Sequence, residues 1–212
     1  MCGILGQVSN TAIDKEQFKI NLLKLHHRGP NDSGVYFDQN IALGQTRLSI
    51  IDLSEGGHQP MVSDCGNYII TFNGEIYNFE EIRRDLLDRG YQFYSNTDTE
   101  VILKGYMEYK EKIVKKLNGM FAFCIYHKRN KELFLARDRS GIKPLYYYHN
   151  GQEFSFSSEL KTLKEYSSKE NLDGKVLFYL LGYVPEPMTI YENLFMFPSA
   201  CFGFYKESKL EL

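Results

Sequence analysis

Two apolar runs, 119–127 and 132–137, stand on either side of the polar tetrad Lys128-Arg-Asn-Lys131. Runs of that length, rich in strand formers and broken by a short polar stretch, read as a β-hairpin. They commit the chain to antiparallel pairing. A second hairpin reads in 144–149 and 153–157 through Asn150-Gly151, a turn pair that tolerates positive φ. Further strands are expected at 3–9, 34–37, 41–45, 67–73 and 201–205, the fourth of these ending at Gly74. Helices fall between them. Phe18, Leu22 and Leu25 give helical spacing over 14–26, with a stop near Gly29-Pro30. Asn78 with Glu81 reads as a capping pair for a helix over 79–88, closed by Gly90. Thr97 with Glu100 reads as a capping box opening a helix that carries Val101, Ile102 and Met107, with Asp98 in its first turn. A helix over 173–182 follows the polar loop 167–171. Hairpins with a few long helices define an α+β arrangement of layers.

Chain length and charge narrow the class. At 212 residues a sizeable core is available. The net charge of −2 gives no electrostatic reason to expect nucleic acid or an anionic membrane as partner. No apolar run approaches the ~18 residues of a membrane span. No basic segment followed by an apolar stretch marks a secretory start, so a cytoplasmic protein is the default expectation. The four cysteines (Cys2, Cys65, Cys124, Cys201) lie far apart, without a CxxC pair, which argues against a zinc site and a disulfide framework. His26-His27 has no carboxylate or cysteine at matching spacing, so no metal site is expected. His27 and Arg28 are expected to brace an active-site loop.

Four motifs carry chemistry. In Met1-Cys2-Gly3-Ile4, removal of Met1 would leave a thiol nucleophile and a free α-amine on one residue. That amine has an ordinary pKa of about 7.7–8.0, so it can act as the thiol's base. Asn73-Gly74-Glu75 closes an apolar strand. The Asn73 carboxamide and Gly74 N–H can serve as an oxyanion-hole pair for amide hydrolysis. Arg47, at the head of Arg47-Leu-Ser-Ile-Ile-Asp52, offers a planar fork for an α-carboxylate. Asp98, assisted by Glu75, can take an α-ammonium. Each motif alone also has a plain structural reading: an inert early cysteine, an Asn-Gly turn, a surface arginine, or a carboxylate favoured by the helix dipole.

Together the motifs resemble the glutaminase domain of the class II glutamine amidotransferases, among the N-terminal nucleophile hydrolases. The class-level signs are Cys2-Gly3-Ile4, His27-Arg-Gly-Pro30, Asn73-Gly74 and Thr97-Asp-Thr-Glu100. The asparagine synthetase branch is indicated by Arg47-Leu-Ser-Ile-Ile-Asp52, Gly57-His-Gln-Pro-Met61 and Asn73-Gly-Glu-Ile-Tyr-Asn78. Leu117-Asn-Gly-Met-Phe-Ala-Phe123, Arg137-Asp-Arg-Ser-Gly-Ile-Lys-Pro-Leu-Tyr146 and Ser157-Ser-Glu-Leu-Lys161 support it.

The resemblance implies a four-layer αββα sandwich of two antiparallel sheets. It implies hydrolysis of L-glutamine to glutamate and ammonia, with Cys2 as nucleophile and Asn73 with Gly74 as oxyanion hole. Arg47 would hold the glutamine carboxylate, the Leu48-Ser49-Ile50-Ile51 backbone would line the pocket, and Glu75 and Asp98 would hold the ammonium. Family members continue into an ATP-using synthetase half that opens on Ser-Gly-Gly, and none occurs here. The expectation is therefore a glutaminase domain over 1–190 and a junction over 191–212 toward a synthetase half in cis or trans. ATP and Mg would belong to that half, with no cofactor in this domain. Aspartate is the family's usual ammonia acceptor, and other carboxylates remain open. Self-association into a homo-oligomer is not excluded. Two alternatives stand beside this reading: a binding domain with a decayed site, against which the intact residue set argues, and an amidase of another amide.

Overall fold

The computed structural model describes residues 1–52, 54–167 and 169–212. The polar loop expected at 167–171 therefore includes one position, Ser168, outside the described residues. In chain order the elements are β1 (Gly3–Val8), α1 (Lys15–Leu23), β2 (Asp32–Asp38), β3 (Ile41–Arg47), β4 (Met61–Val62), β5 (Tyr68–Ile76), α2 (Phe79–Asp88) and α3 (Asp98–Tyr109). There follow α4 (Ile113–Lys116), β6 (Gly119–His127), β7 (Glu132–Arg137), β8 (Tyr146–His149), β9 (Phe154–Ser157), α5 (Leu172–Leu181), β10 (Leu194–Met196), β11 (Phe202–Lys206) and β12 (Lys209–Glu211).

The strands form two six-stranded antiparallel sheets, ordered β10-β8-β9-β1-β3-β2 and β12-β11-β7-β6-β5-β4. Side-chain alternation along a strand explains the layers. On β6, Ala122, Cys124 and Tyr126 pack between the sheets with Ile4, Leu43, Phe154 and Phe156. Its other face, Phe121, Phe123 and Ile125, meets Ile82, Leu86, Val101 and Ile102 of α2 and α3. On the first sheet's outer face Leu5 and Ala42 meet Phe18 and Leu22 of α1 and the nearby Leu25. The result is helix, sheet, sheet, helix, the α+β sandwich expected from the sequence.

Several local expectations are corrected. β5 does not stop at Gly74: Gly74, Glu75 and Ile76 keep pairing with Phe121, Met120 and Gly119, which rules out an Asn-Gly turn. Asn78 precedes α2 without capping it; its carboxamide instead bonds Lys116 O at 3.0 Å and Asn118 N at 2.9 Å. Only half of the Thr97–Glu100 box forms. Thr97 Oγ1 accepts from Glu100 N at 3.2 Å, but the Glu100 carboxylate turns to the N–H groups of Tyr94 and Ser95. α1 ends at Leu23 because His26–Arg28 tightens into a 3₁₀ turn. The segment 191–212 places β10 in one sheet and β11 and β12 in the other. Among the described residues no helix is long and apolar enough to cross a membrane.

Candidate active site

β1 and β5 lie in different sheets, and the face of each that points between the sheets ends in the same place. Two cross-sheet hydrogen bonds fix that seam: Gln45 Nε2 to Phe72 O at 2.8 Å and Thr71 Oγ1 to Gly44 O at 3.1 Å. Cys2 stands just before β1, and Asn73 follows Thr71 by two residues, on the same face of β5. Both open into one cleft, part of it open to solvent.

Of the sequence-predicted residues, Cys2, Arg47, Leu48, Ile50, Ile51, Asn73, Gly74, Glu75 and Asp98 line this cleft. Ser49 does not. Its N–H bonds Asn31 Oδ1 at 3.1 Å, and it faces a neighbouring depression with Asp32 and His58. Met1, Gln59, Thr97, Thr99, Met120 and Lys143 also line the cleft, and none was singled out from the sequence as a site residue. Each lies within a motif quoted above, but nothing in those motifs marks it as facing the cleft.

The thiol is held from both sides. Leu48 N–H donates to Cys2 Sγ at 3.3 Å, and the thiol lies 3.7 Å from Leu48 O. Arg28 Nε donates to Cys2 O at 2.9 Å, while Arg28 is itself paired to Glu159 at 3.0 Å, which also accepts from His27 at 2.8 Å. The expected bracing by His27 and Arg28 thus has a specific anchor, Glu159. Burial pushes the Cys2 thiol up. The Leu48 hydrogen bond, the terminal ammonium, Arg47 and Lys143 act against that without cancelling it.

The pairing of Asn73 with Gly74 has a geometric basis. Asn73 is 1 % exposed, and neither polar atom of its carboxamide has a hydrogen-bond partner. A buried amide left so costs about 1–3 kcal/mol, which a fold tolerates where a ligand completes it. Gly74 follows from strand parity. Phe121 spends its N–H and C=O on Asp138, so the pair Gly74–Phe121 is not hydrogen-bonded and the Gly74 N–H points away from β6. On that edge Phe72 N–H donates to Gln59 Oε1 at 2.7 Å and Ile76 N–H to Asp98 Oδ2 at 3.0 Å. Gly74 lies between them, and among the described residues no acceptor stands against its N–H. A Cβ there would fall 2.3 Å from Met120 O, so only glycine fits.

The charged groups are fixed from behind. The Arg47 guanidinium donates to Ser54 O at 3.0 Å and to Asp52 O, which fastens Asp52 and Ser54 beside the cleft and leaves further N–H groups of the fork. Asp98 is 5 % exposed. Burial, with the Glu75 charge adding to it, pushes its carboxyl up to about 6 against the pull of the Ile76 and Thr99 N–H groups.

Two stacked antiparallel sheets flanked by helices, with a cysteine at the head of one strand and a buried, unpartnered carboxamide on the facing sheet, define an N-terminal nucleophile hydrolase type of architecture. The chain belongs to the glutamine amidotransferase domain family, whose model matches residues 1–212. It is 42% identical over 220 residues to a putative asparagine synthetase [glutamine-hydrolyzing] 2 of Methanocaldococcus jannaschii, covering 92% of this chain and 42% of that protein. It is 41% identical over 197 residues to asparagine synthetase [glutamine-hydrolyzing] 1 of Bacillus subtilis, covering 90% of this chain and 31% of that one. The chain thus spans less than half the length of these relatives. In fold it is similar to a glutamine phosphoribosylpyrophosphate amidotransferase from B. subtilis complexed with ADP and GMP, with a TM-score of 0.73 at 17% identity over 99% of this chain and 48% of the other.

Proposed function

We propose that this chain hydrolyses L-glutamine to glutamate and ammonia, as the ammonia-supplying part of a glutamine-hydrolysing asparagine synthetase. The observation that carries the reading is the buried, unpartnered Asn73 carboxamide opening into the cleft of Cys2. Glutamine fits the charges around it. Its carboxylate meets Arg47 and its ammonium meets Asp98 and Glu75, which leaves the side-chain amide directed at Cys2.

Removal of Met1 frees the α-amine of Cys2, which takes the thiol proton as Sγ attacks the amide carbon. Asn73 Nδ2 and the Gly74 N–H receive the oxyanion, an interaction worth roughly 3 kcal/mol per donor in comparable sites. The tetrahedral intermediate collapses, the C–N bond breaks, and the leaving nitrogen departs as ammonia with the proton held by the α-amine. Water then cleaves the thioester, giving glutamate and restoring the thiol.

A synthetase half, in cis or trans, would consume the ammonia in an ATP- and Mg-dependent amidation of aspartate, in the cytoplasm. The test is ammonia release from glutamine by protein whose intact mass shows Cys2 as the first residue. Turnover that disappears in Cys2→Ala is the expected result. No ammonia from such protein, with the synthetase half present, overturns the reading.

A further inference from the structure

Lys143 is 5 % exposed and lines the cleft, yet neither a hydrogen bond nor an ion pair holds its ammonium among the described residues. Buried lysines are normally paired, as Lys104 is with Glu100 at 2.9 Å and Asp64 at 3.1 Å. Lys143 is also held in place at considerable structural expense. Its N–H donates to Asp138 Oδ2 at 2.9 Å, and its C=O accepts from Arg137 Nε at 2.9 Å. Arg137 also donates to Gly141 O at 2.8 Å, and Asp138 Oδ1 takes the N–H groups of Ser140 and Ile142. The whole 138–143 loop is thus pinned through its backbone. Of its two cations, Arg139 donates to Leu117 O at 2.9 Å, while the Lys143 ammonium is left without a counter-ion among the described residues. The Asp138 carboxylate is fully spent on backbone N–H groups, so it is no partner for that ammonium.

We propose that the Lys143 ammonium is the counter-charge that holds Cys2 Sγ as a thiolate, making Lys143 a positioning residue for the nucleophile. The proposal rests on the reading of Cys2 as nucleophile. The charged groups facing Cys2 are the Met1 ammonium, Arg47 and Lys143, while Arg28 is turned to the Cys2 carbonyl. Those facing Lys143 are Cys2, Glu75, Arg28 and Asp138. Arg47 is committed to the carbonyls of Ser54 and Asp52, and to the substrate carboxylate in the proposed reaction. The Met1 amine is gone from the mature site, and the α-amine of Cys2 that replaces it must be neutral to accept the thiol proton. That leaves Lys143 as the fixed positive charge for the sulfur. The thiol gives its proton to the α-amine, and Lys143 keeps its own throughout.

The structure also explains why such a charge is needed. Burial pushes the Cys2 thiol up, away from the thiolate required at neutral pH. Burial likewise draws the Lys143 ammonium down, with Cys2 the first of the groups that oppose it. Each charge relieves the desolvation of the other.

The test is the pH profile of Cys2 carboxamidomethylation by iodoacetamide, read at the Cys2 peptide by mass so that Cys65 and Cys201 do not contribute. It is run on Met1-free protein without glutamine. Lys143→Met is expected to move the midpoint upward by about one pH unit or more. Lys143→Arg is expected to bring it back. An unpaired buried cation contributes no structural bond, so Lys143→Met should fold with an undiminished Tm; should it fail to fold, Lys143→Gln serves in its place. An unchanged midpoint overturns the proposal, and so does a rise in glutamine KM with the midpoint unmoved, which would make Lys143 a substrate contact. Cys2 alkylating no faster than exposed Cys65 at any pH in the unsubstituted protein overturns the nucleophile reading as well. Glutamine turnover with an unmoved Lys143→Met midpoint overturns this proposal alone.

Discussion

Ile76 N–H donates to Asp98 Oδ2 at 3.0 Å and so ties the end of β5 to the first turn of α3. The bond aligns the carboxylate with the same strand edge that presents the Gly74 N–H. One backbone geometry thereby fixes both the Asp98 carboxylate and the Gly74 N–H at the cleft. It also places a carboxyl where burial disfavours its charge.

That burial makes Asp98 a source of instability in the empty protein. Its folded pKa of about 6 lies above its ordinary 3.8. The fold therefore binds this proton more tightly than the unfolded chain does. The associated stability is complete below about pH 4 and is lost as pH rises through 6. Asp98→Asn should stabilise unliganded protein at pH 7 by up to roughly 3 kcal/mol, read as a raised Tm, with the difference vanishing toward pH 4. Glutamine KM should rise strongly in the same variant. In the unsubstituted protein KM should climb as pH falls below about 6. Thermal melts and KM at matched pH values check both halves, and a lower Tm for Asp98→Asn at pH 7 would refute the account.

Asn73 should separate catalysis from stability in a different way. Its carboxamide makes no bond in the empty cleft, so Asn73→Ala forfeits none. The expected result is a fall in kcat of about 10²–10³, with KM within a few-fold and Tm nearly unchanged. Steady-state kinetics with a thermal melt decide it. A Tm loss matching the activity loss would make Asn73 a structural residue.

The legibility of the sequence divides along physical lines. β6, β7 and α2 were readable to the residue, because their burial pattern follows local periodicity and nearby turn residues. The residues of the cleft were readable where chemistry demanded a side chain of one type, as at Cys2, Arg47 and Asp98. What escaped depends on distant partners. β5 runs past Gly74 only because Gly119 lies opposite Ile76, where a Cβ would fall 2.2 Å from Glu75 O. Asn78 abandons its cap for Lys116 and Asn118, about forty positions on in sequence. Ser49 enters only through the resemblance, as part of the 48–51 backbone, and its N–H is taken by Asn31 beside a neighbouring depression. Lys143 was hidden because its significance is the lack of a counter-ion, which only packing reveals.

Gly57 tests the setting of Arg47 without touching the substrate pocket's charges. A Cβ at Gly57 would fall 1.8 Å from an Arg47 terminal nitrogen, so Gly57→Ala must displace the guanidinium from the carbonyls of Ser54 and Asp52. The expected outcome is a glutamine KM raised about ten-fold or more, with a smaller effect on kcat, mimicking a milder Arg47→Lys. Kinetics of the two variants side by side check it. A Gly57→Ala protein with native KM would show that the loop can shift without disturbing carboxylate binding.

Glu159 carries the last prediction. Burial alone would raise its carboxyl, but hydrogen bonds from Lys161, Arg28 and His27 outweigh that and hold it down at about 2. The folded value lies below the ordinary 4.5, so the associated stability is complete above about pH 4.5 and is lost as pH falls through 2. Lys161 and His27 are half-exposed, and solvent screening reduces their share to on the order of 1 kcal/mol or less in all. Arg28 is nearly buried, so its pairing matters most, and through Arg28 Nε it reaches the Cys2 carbonyl. Glu159→Gln keeps an acceptor but removes the charge. It should lower Tm modestly at pH 7, with the gap closing as pH approaches 2. It should also reduce kcat several-fold by loosening Arg28 beneath the nucleophile. A kcat loss with KM unchanged would place the effect on Cys2, because none of the groups that would bind glutamine contacts Glu159. A variant with full activity and lowered acid stability would show instead that the Glu159 cluster supports the fold alone.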